Sequence, residues 1–117
     1  MNYTNATQIY NIASNSWTTG VPAPTPLFGA SATIIGSQVY VVGGYSSNLG
    51  LLSTLYIYDP ATNTWISGPP TPSLHYVFGS ASVKNLLYAV GGYNGPAYSA
   101  EVDVYDPTAV RFIYAAN

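Results

Sequence analysis

The sequence predicts an all-β protein built from repeated four-stranded antiparallel meanders. No apolar pattern with the 3.6-residue period of a helix extends over ten residues. Short β-branched or aromatic runs are instead separated by nine prolines and eleven glycines, which are typical of turns between strands. Five features also recur at a fixed offset of 48 residues, namely Gly43-Gly44 with Gly91-Gly92, Tyr10 with Tyr58, Trp17 with Trp65, Tyr40 with Tyr88, and Tyr45 with Tyr93.

Each repeat unit is predicted to contain four strands in chain order. The first full unit has strands at 30–35, 38–42, 55–58 and 64–67, and the second has them at 79–83, 86–90, 102–105 and 111–114. Gly36-Ser37 predicts a two-residue hairpin turn with glycine first. Segments 8–12 and 17–19 align with only the last two strands of a unit. The chain 1–117 is thus expected to form one repeat segment: a half unit at 1–26, a full unit at 27–74, and a full unit at 75–117 whose last strand is degenerate.

Recurring residues at the strand ends are expected to have structural roles. Asp59-Pro60 and Asp106-Pro107 end a strand, because proline cannot donate to the sheet and aspartate can bond the turn backbone. The indole of each tryptophan is expected to fill the space between neighbouring units. The glycine pairs favour close backbone approach or positive φ. The predicted structural residues are Gly43, Gly44, Gly91, Gly92, Trp17, Trp65, Tyr58 and Tyr105.

Composition and charge exclude several classes of partner. The formal net charge is −2, with only two basic residues, so the chain cannot neutralise a run of phosphates or hold an anionic lipid surface. We therefore expect neither nucleic acid nor membrane as a partner. No cysteine is present, which excludes disulfides and thiolate metal ligands. The N-terminal residues do not predict a signal peptide. The low charge and the Asn-, Thr- and Tyr-rich composition favour an exported or cell-surface setting.

Several segments resemble a kelch repeat, most closely the bacterial kelch sequences. They are Tyr40-Val41-Val42-Gly43-Gly44-Tyr45, the segment 57–65 from Ile57 to Trp65, and Gly68-Pro69-Pro70. The second full unit keeps Val104-Tyr105-Asp106-Pro107 but has Phe112 where tryptophan is expected. The resemblance implies that each unit is one blade of a β-propeller, with about two and a half blades in this chain.

A propeller normally has more blades than this chain supplies. Stacked sheets alone are expected to leave two faces lined by Tyr, Trp and Val open to water, each at or above the roughly 300–600 Å² that a soluble monomer exposes. We therefore expect either a piece of a longer propeller or assembly with other blades, from copies of this chain or from another chain. The total number of blades is left open by the sequence.

The kelch resemblance also indicates where a ligand would bind. His75 and Leu27 occupy the position at which kelch blades commonly carry an arginine that faces the mouth of the propeller, and Tyr45 and Tyr93 match the tyrosine after Gly-Gly. In kelch substrate adaptors these residue types bind acidic peptides, but both units lack the arginine. A single histidine in a Pro-rich loop is also typical of an ordinary surface or capping residue. The candidate binding residues are the loop residues Tyr45, Asn48, His75, Tyr93 and Asn94.

No catalytic or metal-binding constellation can be assembled from this composition. His75 is the only histidine, which excludes a His-His metal pair, and neither a metal nor a cofactor is expected. Glu101 and Asp103 alternate along a strand and could face one sugar bond, but solvated edge positions are the expected role of both acids. Tyr45, Tyr93 and Tyr98 could form a sugar-stacking surface, although tyrosines in such numbers are also typical of blade core.

Three functional hypotheses follow from these features. The leading one is a non-catalytic kelch scaffold, not an enzyme, whose loop face binds protein or glycan. The alternative is that these blades come from a kelch-type enzyme with its catalytic residues outside this segment. A designed or evolved self-assembling repeat ranks third, because Tyr10-Asn11-Ile12 differs from Tyr58-Asp59-Pro60. The sequence identifies neither the ligand nor the compartment.

Overall fold

The computed structural model describes residues 3–116, whose regular elements are all β-strands. In chain order the twelve strands are β1 (Thr7–Asn11), β2 (Ser16–Gly20), β3 (Ser31–Ile35), β4 (Gln38–Val42), β5 (Tyr45–Ser46), β6 (Gly50–Leu51), β7 (Leu55–Asp59), β8 (Thr64–Ser67), β9 (Gly79–Val83), β10 (Leu86–Val90), β11 (Val102–Asp106) and β12 (Arg111–Ala116). The all-β class predicted from the repeat is confirmed. No helix in this range is long and apolar enough to cross a membrane.

The strands form two four-stranded antiparallel sheets and two separate hairpins. The sheets have the orders β3-β4-β7-β8 and β9-β10-β11-β12, and the hairpins pair β1 with β2 and β5 with β6. Gly36 opens the β3–β4 turn at φ +62°, the glycine-first geometry expected for it. Lys84 and Asn85 both have positive φ in the β9–β10 turn, which is the pattern of a type I′ hairpin. Each full unit is therefore a four-stranded meander, as the kelch resemblance implied.

The hydrophobic core lies between the two four-stranded sheets. It combines residues of both, namely Tyr40, Val42, Leu55, Ile57, Leu87, Ala89 and Tyr105, with Ile35, Phe78 and Phe112 packed against it. The first strands of the two sheets also touch, since the hydroxyls of Ser31 and Ser80 lie 2.6 Å apart. Because the core needs both sheets, neither full unit buries its apolar residues alone.

The last strand of the second sheet differs from its counterpart in side chain and in pairing. Phe112 lies opposite Tyr105 as Trp65 lies opposite Tyr58, with ring centroids 5.2 and 5.0 Å apart. The pairing of β11 with β12 then shifts at Val104/Tyr105, as in a β-bulge. Phenylalanine thus takes the tryptophan position but carries no N–H to donate.

The sequence missed one small element and displaced several strand ends. The β5–β6 hairpin between Tyr45 and Leu51 was not predicted, because two-residue strands give no periodic signal. Its conformation depends on tertiary bonds, including Tyr45 N–H to the carbonyl of Phe28 and Leu52 N–H to the carbonyl of Gly44, both 2.8 Å. The other predicted strands are present, with ends that differ by at most two residues.

Both outer faces of the stack leave large apolar side chains exposed. On the β1–β2 hairpin Trp17 is 67% exposed, and on the last sheet Val83 and Val90 are 53% and 49% exposed. Trp17 has no adjoining unit on its side within residues 3–116, so the expectation that each tryptophan fills a space between units stays a prediction there. It is confirmed for Trp65, which is half-buried and donates its indole N–H to the carbonyl of Val21 at 2.9 Å.

Candidate functional site

Equivalent loops of the two units bring aromatic residues together on one face. Tyr45 and Tyr93 each follow a glycine pair, and each is fastened to the loop that precedes its own sheet. The N–H of Tyr45 donates to the carbonyl of Phe28 at 2.8 Å, and the N–H of Tyr93 donates to the carbonyl of Tyr76 at 2.9 Å. Phe28 and Tyr76 are related by the same 48-residue offset. The repeat therefore builds the same pair of aromatic positions twice.

The glycine pairs allow these loops to approach so closely. A Cβ on Gly92, whose φ is +91°, would lie 2.7 Å from the Cβ of Phe78 and 2.8 Å from the carbonyl oxygen of Tyr76. A Cβ on Gly43 would collide with the backbone carbonyl of His75. Both predicted reasons for glycine, positive φ and close approach, are thus confirmed at these positions.

The aromatic rings on this face form two groups, each with its rings in mutual contact. Tyr76 lies between the units, with its ring centroid 6.1 Å from that of Tyr45 and 5.9 Å from that of Phe28. Tyr3 adds contacts to Tyr45 and Phe28 at 6.1 and 5.9 Å. At the other end the rings of Tyr93 and Tyr98 lie 5.8 Å apart at 68°. Such tilted and edge-on pairs hold the rings in defined positions.

Two adjoining clefts of about 340 and 370 Å³ lie among these rings, and together we call them the aromatic cleft. Both are lined by Tyr76 and Tyr93, and the remaining lining residues are Tyr3, Tyr45, Leu51, Val77 and Tyr98. None of the lining side chains is charged. The walls thus offer flat apolar rings and phenolic hydroxyls, which suit an uncharged ligand that can stack and accept or donate hydrogen bonds.

The candidate binding residues divide between the aromatic cleft and other places. Tyr45 and Tyr93 line the cleft. Asn48 is exposed in the β5–β6 turn and is not part of the lining. The side-chain oxygen of Asn94 accepts the N–H of Ala97 at 3.2 Å and shapes its own loop. Tyr76 lines both clefts but was not among the predicted binding residues. The sequence does contain a signal for it, since positions 28 and 76, one repeat apart, are both aromatic.

His75 is fully buried, so the expectation that it lies at the surface or in the mouth is wrong. Its Nδ1 lies 2.8 Å from the carbonyl oxygen of Gly91, and its Nε2 lies 2.8 Å from Oδ2 of Asp103. The backbone carbonyl of His75 accepts the N–H of Gly44 at 2.8 Å. This one residue therefore connects the glycine pairs of both units and positions the loop that carries Tyr76.

Asp103 is also fully buried, and its predicted solvated edge position is wrong. Besides His75, its carboxylate accepts the backbone N–H of Ser73 at 3.0 Å and the hydroxyl of Ser73 at 3.3 Å. The strand alternation placed Asp103 on a face of β11 but could not show that the preceding loop covers that face. Glu101 accepts the hydroxyl of Ser99 at 3.2 Å and stays half-buried, so the two acids do not face one open site.

No group of three His, Asp or Glu side chains in residues 3–116 could hold a metal ion. Comparison with known proteins gave one family match: the family described as Kelch motif matches residues 26–72 and 78–109, which is more than half of the chain. No curated protein matched the sequence.

Proposed function

The chain belongs to the kelch-repeat family, and from this membership we propose that it is a non-catalytic interaction module that binds a protein or glycan ligand in the aromatic cleft. The observation that carries the proposal is the convergence of tyrosines from both units on one uncharged cleft. Partly exposed aromatic rings are the residues that most often dominate the free energy of binding at interfaces.

The uncharged lining supports a neutral ligand. The kelch position that commonly carries arginine is taken here by His75, whose side chain is buried and bonded inside the protein. The tyrosines of the aromatic cleft are therefore the residues that would contact the ligand. Tyr93 is 36% exposed and Tyr98 is 90% exposed, so both rings are accessible for stacking. An acidic peptide would find no cation in the cleft to pair with.

The acidic residues have structural partners, which supports the absence of catalysis. Asp59 and Asp106 each accept a backbone N–H two residues ahead, from Ala61 at 3.0 Å and from Thr108 at 2.9 Å. Asp103 is buried against His75. A pair of carboxyls facing one bond across an open cleft, which glycoside hydrolysis requires, is not formed by these side chains.

The exposure of apolar side chains on the two outer faces supports a place among further blades. The exposed apolar side chains of the β1–β2 hairpin and of the last sheet lie where neighbouring blades would pack. We place the chain in a propeller that is completed by more blades, either of the same polypeptide or of other copies. Sedimentation analysis of the chain at several concentrations tests whether other copies of the chain supply these blades.

A ligand screen tests the binding function. The chain is screened against a displayed peptide library and a panel of neutral oligosaccharides, and hits are measured by titration calorimetry. Truncation of a central aromatic side chain typically costs about 2 kcal/mol or more, so we expect Tyr93→Ala and Tyr76→Ala to weaken a true ligand at least ~10-fold. Trp17→Ala is the control, because Trp17 is also an exposed aromatic residue but does not line the aromatic cleft.

Two results would contradict the proposal. If every hit binds Tyr93→Ala and Tyr76→Ala as tightly as the unaltered chain, the aromatic cleft is not the binding site. If the chain converts any member of the oligosaccharide panel to products, the module is not free of catalytic activity. Product formation is followed by chromatography of the same samples.

A further inference from the structure

One three-residue arrangement occurs twice in the fold, once occupied and once open. Tyr58, Asn63 and Trp65 form the closed clamp, at the β7–β8 hairpin. The hydroxyl of Tyr58 donates to Oδ1 of Asn63 at 2.8 Å, and the rings of Tyr58 and Trp65 lie 5.0 Å apart at 40°. Asn63 has φ +52°. These contacts fix an amide oxygen and an indole N–H on one surface.

The closed clamp holds the backbone of a single residue from the preceding unit. Oδ1 of Asn63 accepts the N–H of Val21 at 2.9 Å, and Nε1 of Trp65 donates to the carbonyl of Val21 at 2.9 Å. Both bonds are to main-chain atoms of Val21, so neither depends on which side chain is at position 21. Proline at that position could not make the first bond, because it has no N–H.

The residue before Val21 must be small. A Cβ on Gly20 would lie 2.9 Å from Oδ1 of Asn63, 3.0 Å from the hydroxyl of Tyr58 and 3.1 Å from Cδ1 of Ile9. Glycine therefore lets the strand end approach the clamp. The segment that the closed clamp recognises is an extended Gly-X, in which X is any residue except proline and is here followed by Pro22.

Tyr10, Asn15 and Trp17 form the same arrangement 48 residues earlier, and we call it the open clamp. The hydroxyl of Tyr10 hydrogen-bonds to Oδ1 of Asn15, and the rings of Tyr10 and Trp17 lie 5.0 Å apart at 41°. Asn15 has φ +49°, close to the value at Asn63. Within residues 3–116 no strand end covers this clamp, since Trp17 is 67% exposed and Tyr10 is 43% exposed, against 5% for Tyr58.

The surroundings of the open clamp leave room for such a segment. A groove of about 300 Å³ runs beside Trp17 and is lined by Gln8, Thr18 and Thr19 as well. Gln8 is the counterpart of Tyr56, whose hydroxyl lies 3.0 Å from Oγ1 of Thr25 in the linker that follows Val21. The groove therefore continues along the path that the Pro-rich linker takes at the closed clamp.

We propose that the open clamp is a docking site for an extended Gly-X-Pro strand end, with X not proline, supplied by a neighbouring blade outside residues 3–116. The backbone N–H of the occupant's X residue donates to Oδ1 of Asn15, and the backbone carbonyl of X accepts the indole N–H of Trp17. The linker after β8 does not fit, because Gly68 is followed by Pro69, which has no N–H to donate. This site is independent of the aromatic cleft.

The protein's own linker supplies the probe. A capped peptide with the sequence of residues 18–24, Thr-Thr-Gly-Val-Pro-Ala-Pro, is titrated into ¹⁵N-labelled full chain, and the two indole N–H resonances are followed by NMR. We expect the Trp17 resonance to shift downfield and saturate while the Trp65 resonance stays in place. A peptide with proline in place of Val21 is expected to bind at least ~10-fold more weakly, since one hydrogen bond is lost.

Two protein variants separate the clamp from general surface effects. Asn15→Gly keeps the positive φ of the turn but removes the acceptor, and we expect about 10-fold weaker peptide binding. Trp17→Phe removes the reporting N–H, so its peptide binding is followed by calorimetry and is expected to weaken to a similar extent. Tyr98→Ala, on the aromatic cleft, is the control and is expected to bind the peptide unchanged.

Three results would overturn the proposal. The first is no shift of the Trp17 resonance at millimolar peptide. The second is an equal shift with the proline-substituted peptide. The third is a Trp17 resonance that moves with protein concentration alone and that the peptide does not reverse, which would assign the surface to a second copy of the chain. Failure of the loop-face ligand screen leaves all three readouts unaffected.

Discussion

Nε2 of His75 lies 2.8 Å from Oδ2 of Asp103, and neither side chain is exposed to solvent. The two residues are 28 positions apart in the chain and join the loop before β9 to strand β11. Removing one member of a buried pair leaves an unpaired polar group in the interior, which costs more than the loss of a surface contact. Stability at this junction is therefore sensitive to either residue.

Asp103→Ala is expected to lower the free energy of unfolding by about 3 kcal/mol, because His75 and Ser73 both lose their acceptor. Urea unfolding followed by circular dichroism measures the change. Glu101→Ala is the control, because Glu101 is a half-buried acid only two residues away. It should lower the free energy of unfolding by less than about 1 kcal/mol. Equal losses in the two variants would show that the buried pair does not stabilise the fold.

Gly92→Ala is expected to destabilise the chain more than Gly36→Ala. Both glycines have positive φ, +91° and +62°, but only at Gly92 would the new Cβ meet backbone and side-chain atoms within 3 Å. Left-handed strain alone costs about 1–2 kcal/mol, and overpacking adds a further 1–3 kcal/mol or so. Thermal and urea unfolding of the two variants give the comparison. A Gly36→Ala loss as large as that of Gly92→Ala would rule out the close approach of the loops.

Val110→Asn is expected to stabilise the chain by about 1 kcal/mol. Val110 has φ +54° at the turn where the other units have Asn15 and Asn63 at +49° and +52°. A β-branched residue is strained in this conformation, whereas asparagine tolerates it. Val83→Asn, at a strand position that is also exposed, is the control and should not stabilise. A lower melting temperature for Val110→Asn would contradict the prediction.

Stability is expected to fall above pH 10 because of two buried tyrosines. Burial raises the pKa of Tyr40 above the ordinary value of 10.0, and the pKa of Tyr105 is raised first by burial and then by the nearby Tyr40 and Asp106. The unfolded chain therefore loses these protons at lower pH than the folded chain does. Their contribution to stability is complete below pH 10 and is lost as pH rises through the higher folded-state pKa values.

Urea unfolding at a series of pH values from 8 to 11.5 or so measures this loss. Tyr40→Phe and Tyr105→Phe should each make the free energy of unfolding less dependent on pH in the alkaline range. Tyr98→Phe is the matched control, because that side chain is 90% exposed. The explanation fails if the free energy of unfolding of all three variants falls with alkaline pH as steeply as that of the unaltered chain.

The sequence alone determined the class of the fold and most of its elements. The 48-residue offset, the turn signals at Gly36-Ser37 and Asp59-Pro60, and the paired glycines are local patterns, and local backbone chemistry is sufficient to produce them. Tyr45 and Tyr93 were placed correctly on equivalent loops, which line the aromatic cleft, because the repeat gives both units the same loop geometry.

Only the tertiary structure decided which aromatic and titratable side chains are buried. Tyr105 and Tyr98 have the same side chain, yet the first is 1% exposed and the second 90%. His75 and Asp103 could be recognised as a buried pair only after a loop and a strand had been brought together. Burial is set by contacts between residues far apart in the chain, and a periodic pattern gives the face of a strand but not what covers that face.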